Sequence, residues 1–310
     1  MNTGLTQVCL QGPLIVGAGS SGLAVAACRS QRGVPFLILE KENCIASLLR
    51  LRSYDSLKLH LPKKYCQLPQ MPFPKEYPVY PTKQQFLSYL DSYAKHFSIH
   101  PMFRYEVKSA DYNAVMGVWR VVANGSEYLC RWLAVATGDD ANPAVPGIDG
   151  LTSFGGKMMH TSDYKDGTEF RGRKVLVVGC GNSGMEISLN LYRNGARMHI
   201  LPRDILGRSS FGIAVGLLKL FPLRLVDWFL ILSSRLLLGD TRRVGIIRPE
   251  DGPLKHKNTT GKTPVLDVVG EVQRFTSNGV EFMDGKVEEF DSVILATGYT
   301  GNVASWLKVQ

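Results

Sequence analysis

The chain has 310 residues, enough for about two domains with packed cores. Hydrophobic content of 45% and charged content of 20% exclude long disordered tracts. The net charge of +9 is spread along the chain without a run of five like charges or an aromatic-basic repeat, which argues against nucleic acid and suits polyanionic cofactors.

In chain order, "MNTGLTQVCLQG" lacks the basic start and apolar core of a signal peptide, and a strand is predicted almost at once, over Leu14 to Val16. A glycine loop, a helix and a second strand, Phe36 to Leu39, follow. The Pro- and aromatic-rich "LPKKYCQLPQMPFPKEYPVYP" cannot be regular helix. Thr82 and Gln85 form a capping box, opening a helix with Phe86, Leu90, Tyr93 and Phe97 as its apolar stripe. From Val107 to Val135 the pattern is β, with Asn124-Gly125 as a hairpin turn. "WLAVATGDDANPAVPGIDG" then runs from a strand through ATG into a Pro-Gly linker, the first domain boundary. A second strand-loop-helix-strand unit opens at Lys174, and "DSVILATGYTGN" near the end echoes the earlier ATG stretch.

The most apolar region, residues 211–239, is interrupted by Lys219, Arg224, Asp227 and Arg235 and broken by Pro222. Its charge-free pieces are shorter than the roughly 20 residues of a spanning helix. A helix pair over a substrate cavity fits best, and a patch resting on a membrane is the alternative. The six cysteines contain no CxxC pair, which argues against a disulfide framework, a zinc site or a dithiol reductase and for an intracellular protein. No metal site is expected.

Two GxGxxG loops carry the chemistry. In the first, Gly17, Ala18, Gly19, Ser20, Ser21 and Gly22 link a strand to a helix. Gly17 gives the tight turn, Gly19 lets a pyrophosphate approach the backbone, and Gly22 packs helix on strand. The helix N-terminus offers N–H groups and a positive dipole end to phosphates. Glu40, closing the next strand, can accept hydrogen bonds from ribose hydroxyls and would repel a 2′-phosphate, so FAD or NAD fits and NADP does not. In the second, Gly179, Cys180, Gly181, Asn182, Ser183 and Gly184 repeat the pattern, but the partner at nearly the same spacing is Arg203. A basic residue there suits the 2′-phosphate of NADP. Opposite partners imply two different dinucleotides. A vestigial second loop is the alternative.

Between the loops, Phe154, Gly156, His160 and Tyr164 have the spacing FxGxxxHxxxY. Together with two glycine loops and an ATG at each crossing, it is similar to the class B flavin-dependent monooxygenases. Within them the chain resembles the plant YUCCA group, through "YPTKQQFLSYLDSYAKHF", "CRWLAVATG", "RGRKVLVVGCGNSGMEIS", "NTTGKTPVLD" and "ATGYTGNVASWLK".

The resemblance covers about residues 12 to 308. It implies an α/β fold of two Rossmann-like domains, FAD-binding over residues 1–148 and 285–310 and NADPH-binding over 149–284. NADPH would reduce FAD, and O₂ would give a C4a-(hydro)peroxyflavin that converts indole-3-pyruvate to indole-3-acetate, the auxin, with loss of the carboxyl group. It implies a cytoplasmic enzyme, with the endoplasmic reticulum surface as an alternative location. It also implies that His160 and Tyr164 help position NADP, and that Thr137, Gly138, Thr297 and Gly298 form the two crossing motifs beside the cofactors. "KLHLPK" places His60 where related enzymes often carry an asparagine near the flavin. An uncharged imidazole could support the peroxyflavin there, and a loop histidine without catalytic part is the alternative.

Four departures qualify this. Leu49 stands where the family usually has a tryptophan. The stretch "LNLYRNGARMHILPR" is shorter than in relatives: aligned by motif, the usual phosphate-binding arginine is missing, whereas counted by geometry "MHIL" fills the vacant strand and Arg203 takes over. "LDVVGEV" is followed by a second deficit, and relatives continue past Gln310. The last point carries the expectation of loosely held flavin and poor coupling. The competing readings are a shortened isoform with weak nucleotide binding and an enzyme that oxygenates sulfur or nitrogen.

Overall fold

The structure, a computed structural model, describes residues 6–179, 181–200, 267–268 and 272–308. The chain begins with β1 (Thr6–Cys9), β2 (Leu14–Val16), α1 (Ser20–Ser30) and β3 (Leu37–Glu40). Short helix α2 (Ser47–Leu51) and α3 (Lys63–Cys66), a single turn after Pro62 within the otherwise non-helical Pro-rich segment, precede α4 (Lys83–His96). Strands β4 (Met102–Phe103), β5 (Val107–Asn113), β6 (Val118–Ala123), β7 (Ser126–Cys130), β8 (Leu133–Val135) and β9 (Asn142–Pro143) follow. Next come β10 (Lys157–His160), β11 (Lys174–Val178), α5 (Asn182–Arg193), β12 (Arg197–Ile200) and β13 (Asp267–Val268). The last elements are β14 (Val272–Phe275), β15 (Gly279–Phe282), β16 (Val287–Glu289), β17 (Ser292–Leu295), β18 (Tyr299–Thr300), α6 (Val303–Trp306) and β19 (Leu307–Lys308).

These elements form two compact units. One comprises Met1–Ser53, Leu61–Pro143 and Tyr299–Gln310, the other Tyr54–His60 and Ala144–Gly298. In the first unit a parallel sheet runs β4-β3-β2-β8. Every residue of β2 is buried, as expected of a strand covered on both faces. A second sheet, β1-β7-β6-β5-β19, turns at Asn124-Gly125, where both residues have positive φ, as the predicted hairpin requires. Leu14, Val16 and Leu39 of one sheet share a core with Ala110, Val121 and Tyr128 of the other.

Helix α4 has the predicted capping box, with Gln85 N–H donating to Thr82 and Thr82 N–H to Gln85. Its buried face is wider than the stripe read from the sequence, because Leu87 and Tyr89 are buried too. The cause is the Pro-rich segment: Phe73 stacks on Tyr89 at 4.1 Å, and the Tyr89 and Tyr93 hydroxyls donate to the carbonyls of Met71 and Pro69.

In the second unit a parallel sheet runs β10-β17-β11-β12-β13, beside an antiparallel sheet β14-β15-β16. Strand β11 alternates, with Val175 and Val177 in one core cluster and Leu176 and Val178 in another. Both units are α/β, in keeping with the expected fold class. Their boundaries differ from the sequence reading: the chain leaves the first unit after Pro143 and returns at Tyr299, rather than at residues 148 and 285. The reason for the later return is β17, which is buried and pairs with both β10 and β11. Among the described residues no helix is long and apolar enough to cross a membrane. Residues 211–239 lie outside the described set, as do Cys180 and Arg203.

Candidate functional site

Each unit closes a glycine loop with its own ATG stretch, and the two closures match atom for atom. In the first unit, β2 is followed by Gly17 at φ +104°, a conformation that side chains rarely adopt. A Cβ on Gly17 would stand 2.5 Å from the carbonyl oxygen of Ala136, and one on Gly22 would stand 2.0 Å from that of Gly17. In the second unit the corresponding distances are 2.4 Å from Gly179 to Ala296 and 2.1 Å from Gly184 to Gly179. The alanine N–H donates back to the strand in both, to Val16 and to Val178, at 2.8 Å. These outer glycines are therefore required by the protein's own packing.

The middle glycines are different. A Cβ on Gly19 or on Gly181 would meet nothing within 4 Å. Each is the N-cap of its helix, α1 or α5, in extended conformation, and no side chain caps either helix. The N–H groups of a first helical turn have no intrahelical acceptor. Open space in front of such a turn is what a pyrophosphate would fill.

The first loop borders a cavity of about 480 Å³, lined by Gly17, Gly19, Ser20, Ser21, Glu40, Thr137 and Gly138. Glu40 is only 5% exposed, and its carboxylate accepts from the N–H groups of Ala18 (2.8 Å) and Glu42 (3.0 Å) and from the Ser47 hydroxyl (3.2 Å). It thus fixes the loop, and with four lone-pair sites it retains capacity for a ribose. Two buried polar atoms of the cavity residues, Thr137 Oγ1 and Asn302 Oδ1, have no hydrogen-bond partner. An unsatisfied buried oxygen costs about 1–3 kcal/mol. A polar ligand would supply the missing partners, so the residues fit a dinucleotide. Leu49 also lines the cavity.

Asn302 and Trp306 were not singled out by sequence reasoning, though both line this cavity. A signal existed for the first: Asn302 follows the second ATG at the same distance as Asn142 follows the first.

In the second unit the linker motif supports the loop from within. Phe154 lies in the core, and a Cβ on Gly156 would stand 2.6 Å from its ring. The ring of His160, buried, has Nδ1 3.2 Å from the N–H of Ser162 and Nε2 3.0 Å from the carbonyl oxygen of Gly298. An N–H can only donate, so Nδ1 accepts and Nε2–H donates to Gly298. Burial pushes the His160 pKa down. Tyr164 is fully buried, its hydroxyl donates to Asn190 of α5 at 2.6 Å, and burial pushes its pKa up. Thr297 donates to the Ala144 carbonyl, unlike Thr137, whose hydroxyl has no partner.

The His160 shift has a consequence for stability. A histidine unfolded titrates near 6.5, and the folded ring resists protonation. As pH falls below about 6.5 the unfolded chain takes up a proton that the folded one does not, so stability falls with pH through that window. Denaturant titrations across this range should show the loss, and His160→Gln should flatten it. An unchanged slope in the variant would contradict the buried neutral ring.

His60 belongs to the second unit, with Asn182 Nδ2 3.2 Å from its Nδ1. Ser183 and Gly184 occupy the first turn of α5. Strand β12 pairs in parallel with β11, with Val177 opposite Ile200, so "MHI" does fill the strand position beside the loop, as counting by geometry expected.

A family model described as pyridine nucleotide-disulphide oxidoreductase matches residues 14–210. The probable indole-3-pyruvate monooxygenase YUCCA4 of Arabidopsis thaliana is 53% identical over 98% of this chain and 79% of its own length. The indole-3-pyruvate monooxygenase YUCCA1 of Oryza sativa subsp. japonica is 51% identical over 96% and 79%. Among solved structures, a flavin-containing monooxygenase from Stenotrophomonas maltophilia shares the fold with a TM-score of 0.71, at 23% identity over 98% of this chain and 82% of its own. With identity above half across nearly its whole length, and with a strand–glycine loop–helix unit in each half, this chain belongs to the YUCCA family of flavin-dependent indole-3-pyruvate monooxygenases.

Proposed function

We infer that this chain is an NADPH- and FAD-dependent monooxygenase that converts indole-3-pyruvate to indole-3-acetate in auxin biosynthesis. One oxygen atom of O₂ enters the acid, the other leaves as water, and the substrate's carboxyl carbon leaves as carbon dioxide. FAD, when bound and reduced by NADPH, supplies the activation of O₂.

The protein's residues bind and orient. We assign FAD to the first loop and NADPH to the second, and the observation that carries this is the pair of open middle glycines with different neighbours. At the first, the Glu40 carboxylate lies beside the loop and suits ribose hydroxyls. Thr137 and Asn302 offer unpaired polar atoms to the same ligand. At the second, His160 and Tyr164 act indirectly, because their polar atoms already hold Gly298 and Asn190. Thr297 likewise braces the loop's surroundings.

Arg203 is assigned to the 2′-phosphate of NADPH from its place in the sequence. A hydrogen bond to a charged group contributes about 1.5–3 kcal/mol, so Arg203→Ala should raise the KM for NADPH roughly tenfold to a hundredfold. The KM for NADH should barely move. Equal loss for both would remove Arg203 from this role.

Product analysis tests the substrate. Purified enzyme with NADPH and O₂ should yield indole-3-acetate from indole-3-pyruvate and leave a simple thioether unoxidised. Preferential sulfoxide formation would instead favour the sulfur-oxygenating reading.

A further inference from the structure

The segment Tyr54–His60 is a strap that leaves the first unit's chain and is built into the second unit. Tyr54, 3% exposed, joins the core with Tyr164 and Ile187, and Leu57 packs against it. The Asp55 N–H donates to the Lys165 carbonyl at 3.0 Å. The strap meets α5 at Asn182 and Glu186, four residues apart on one face. Tyr54 donates its hydroxyl to Glu186 Oε2 at 2.9 Å, and His60 Nε2 lies 3.4 Å from Glu186 Oε1.

We propose that His60 is a positioning residue for the second glycine loop, holding the Asn182 side chain at the first turn of α5 so that the loop is set before the pyridine dinucleotide arrives. The proposal rests on the reading that this loop takes NADPH.

The direction of the hydrogen bonds follows from Glu186. The Glu186 carboxylate, 3.4 Å from Nε2 though not hydrogen-bonded to it, attracts the ring proton to that nitrogen, which leaves Nδ1 an acceptor. Only the NH₂ group of Asn182 can then satisfy Nδ1, at 3.2 Å. Asn182 is the residue immediately after Gly181, the open glycine of the cradle. A carboxamide left free at that point would sample several rotamers, and ordering it on binding would cost affinity. Engaging Glu186 has a second effect. Its charge lies one turn into a helix whose N-terminus is to receive a polyanion, and the Tyr54 hydroxyl holds that carboxylate on the strap side, with the His60 ring beside it.

A purely structural brace would affect folding and FAD retention along with NADP binding, whereas a positioning residue affects the second loop alone. FAD-loaded protein titrated with NADP⁺ by calorimetry separates the two. His60→Ala should raise the Kd for NADP⁺ about five- to twelvefold, the upper part of the range for one neutral hydrogen bond. Its flavin content and Tm should match the parent. His60→Gln, whose amide can accept from Asn182 and donate to Glu186, should return the Kd to within about threefold of the parent.

Three results would overturn the proposal. One is unchanged NADP⁺ affinity in His60→Ala, including the case in which the variant binds normally but releases more hydrogen peroxide, which would return His60 to the flavin. The second is equal loss in the Ala and Gln variants. The third is a fall in Tm and flavin content that matches the loss of affinity. Gly181→Val identifies which premise failed: if it too binds NADP⁺ normally, the loop assignment is wrong. If it loses NADP⁺ while His60→Ala does not, only the positioning role is wrong.

Discussion

Gly19→Val should give folded but colourless protein. The backbone at Gly19 is extended, with φ −78° and ψ −173°, which a β-branched residue adopts without strain. A Cβ there meets no protein atom within 4 Å, so the variant should fold. The added methyl groups instead occupy the space in front of the first turn of α1, where we place the FAD pyrophosphate. Flavin content should fall to about a tenth or less, the equivalent of losing at least ~1.4 kcal/mol of binding. Gly22→Ala is the contrasting control. Its Cβ would stand 2.0 Å from the Gly17 carbonyl oxygen, so backbone must move, at a cost of about 1–3 kcal/mol or more. That variant should lose flavin through instability, seen as a lowered Tm. Full flavin in Gly19→Val would sink the assignment of this loop.

Gly181→Val should be yellow yet inert to NADPH. Its backbone, φ −65° and ψ −174°, again accepts valine, and the Cβ again finds open space. The first loop is untouched, so flavin content should equal the parent's. Reduction of that flavin by NADPH should slow by two orders of magnitude or more at ordinary coenzyme concentrations, while dithionite should still bleach it. A loss of about 3 kcal/mol in binding suffices for such an effect. Gly184→Ala, with its Cβ 2.1 Å from the Gly179 carbonyl oxygen, should instead destabilise the protein. If Gly181→Val is reduced at the parent's rate, the second loop does not carry the coenzyme.

Much of this site was legible in the sequence because glycine loops are local. The spacing of Gly17, Gly19 and Gly22 specifies a turn, an open position and a helix packed on its strand, and the structure shows those three properties at those positions. The capping box of α4 and the Asn124-Gly125 turn were legible for the same reason. What was not legible depends on distant partners. Tyr54 carries no signal of its own and His60 reads as a neighbour of the flavin, since nothing within the strap announces Glu186 or Asn182 as its partners. Strand β17 read as the return to the first domain because its ATG resembles a crossing, whereas its two parallel partners, β10 and β11, place it inside the second unit. The pattern FxGxxxHxxxY was legible as a motif but not as a brace, because the carbonyl of Gly298 and the side chain of Asn190 that it holds are remote in sequence.

The central claim is that one chain holds FAD in its first unit and takes reducing equivalents from NADPH in its second. The visible spectrum of the purified protein, recorded before and after anaerobic addition of NADPH, tests it most directly. The account predicts a flavin spectrum that NADPH bleaches at far lower concentration than NADH does. Protein that remains colourless even when supplied with FAD, or a bound flavin that NADPH leaves oxidised, would contradict it.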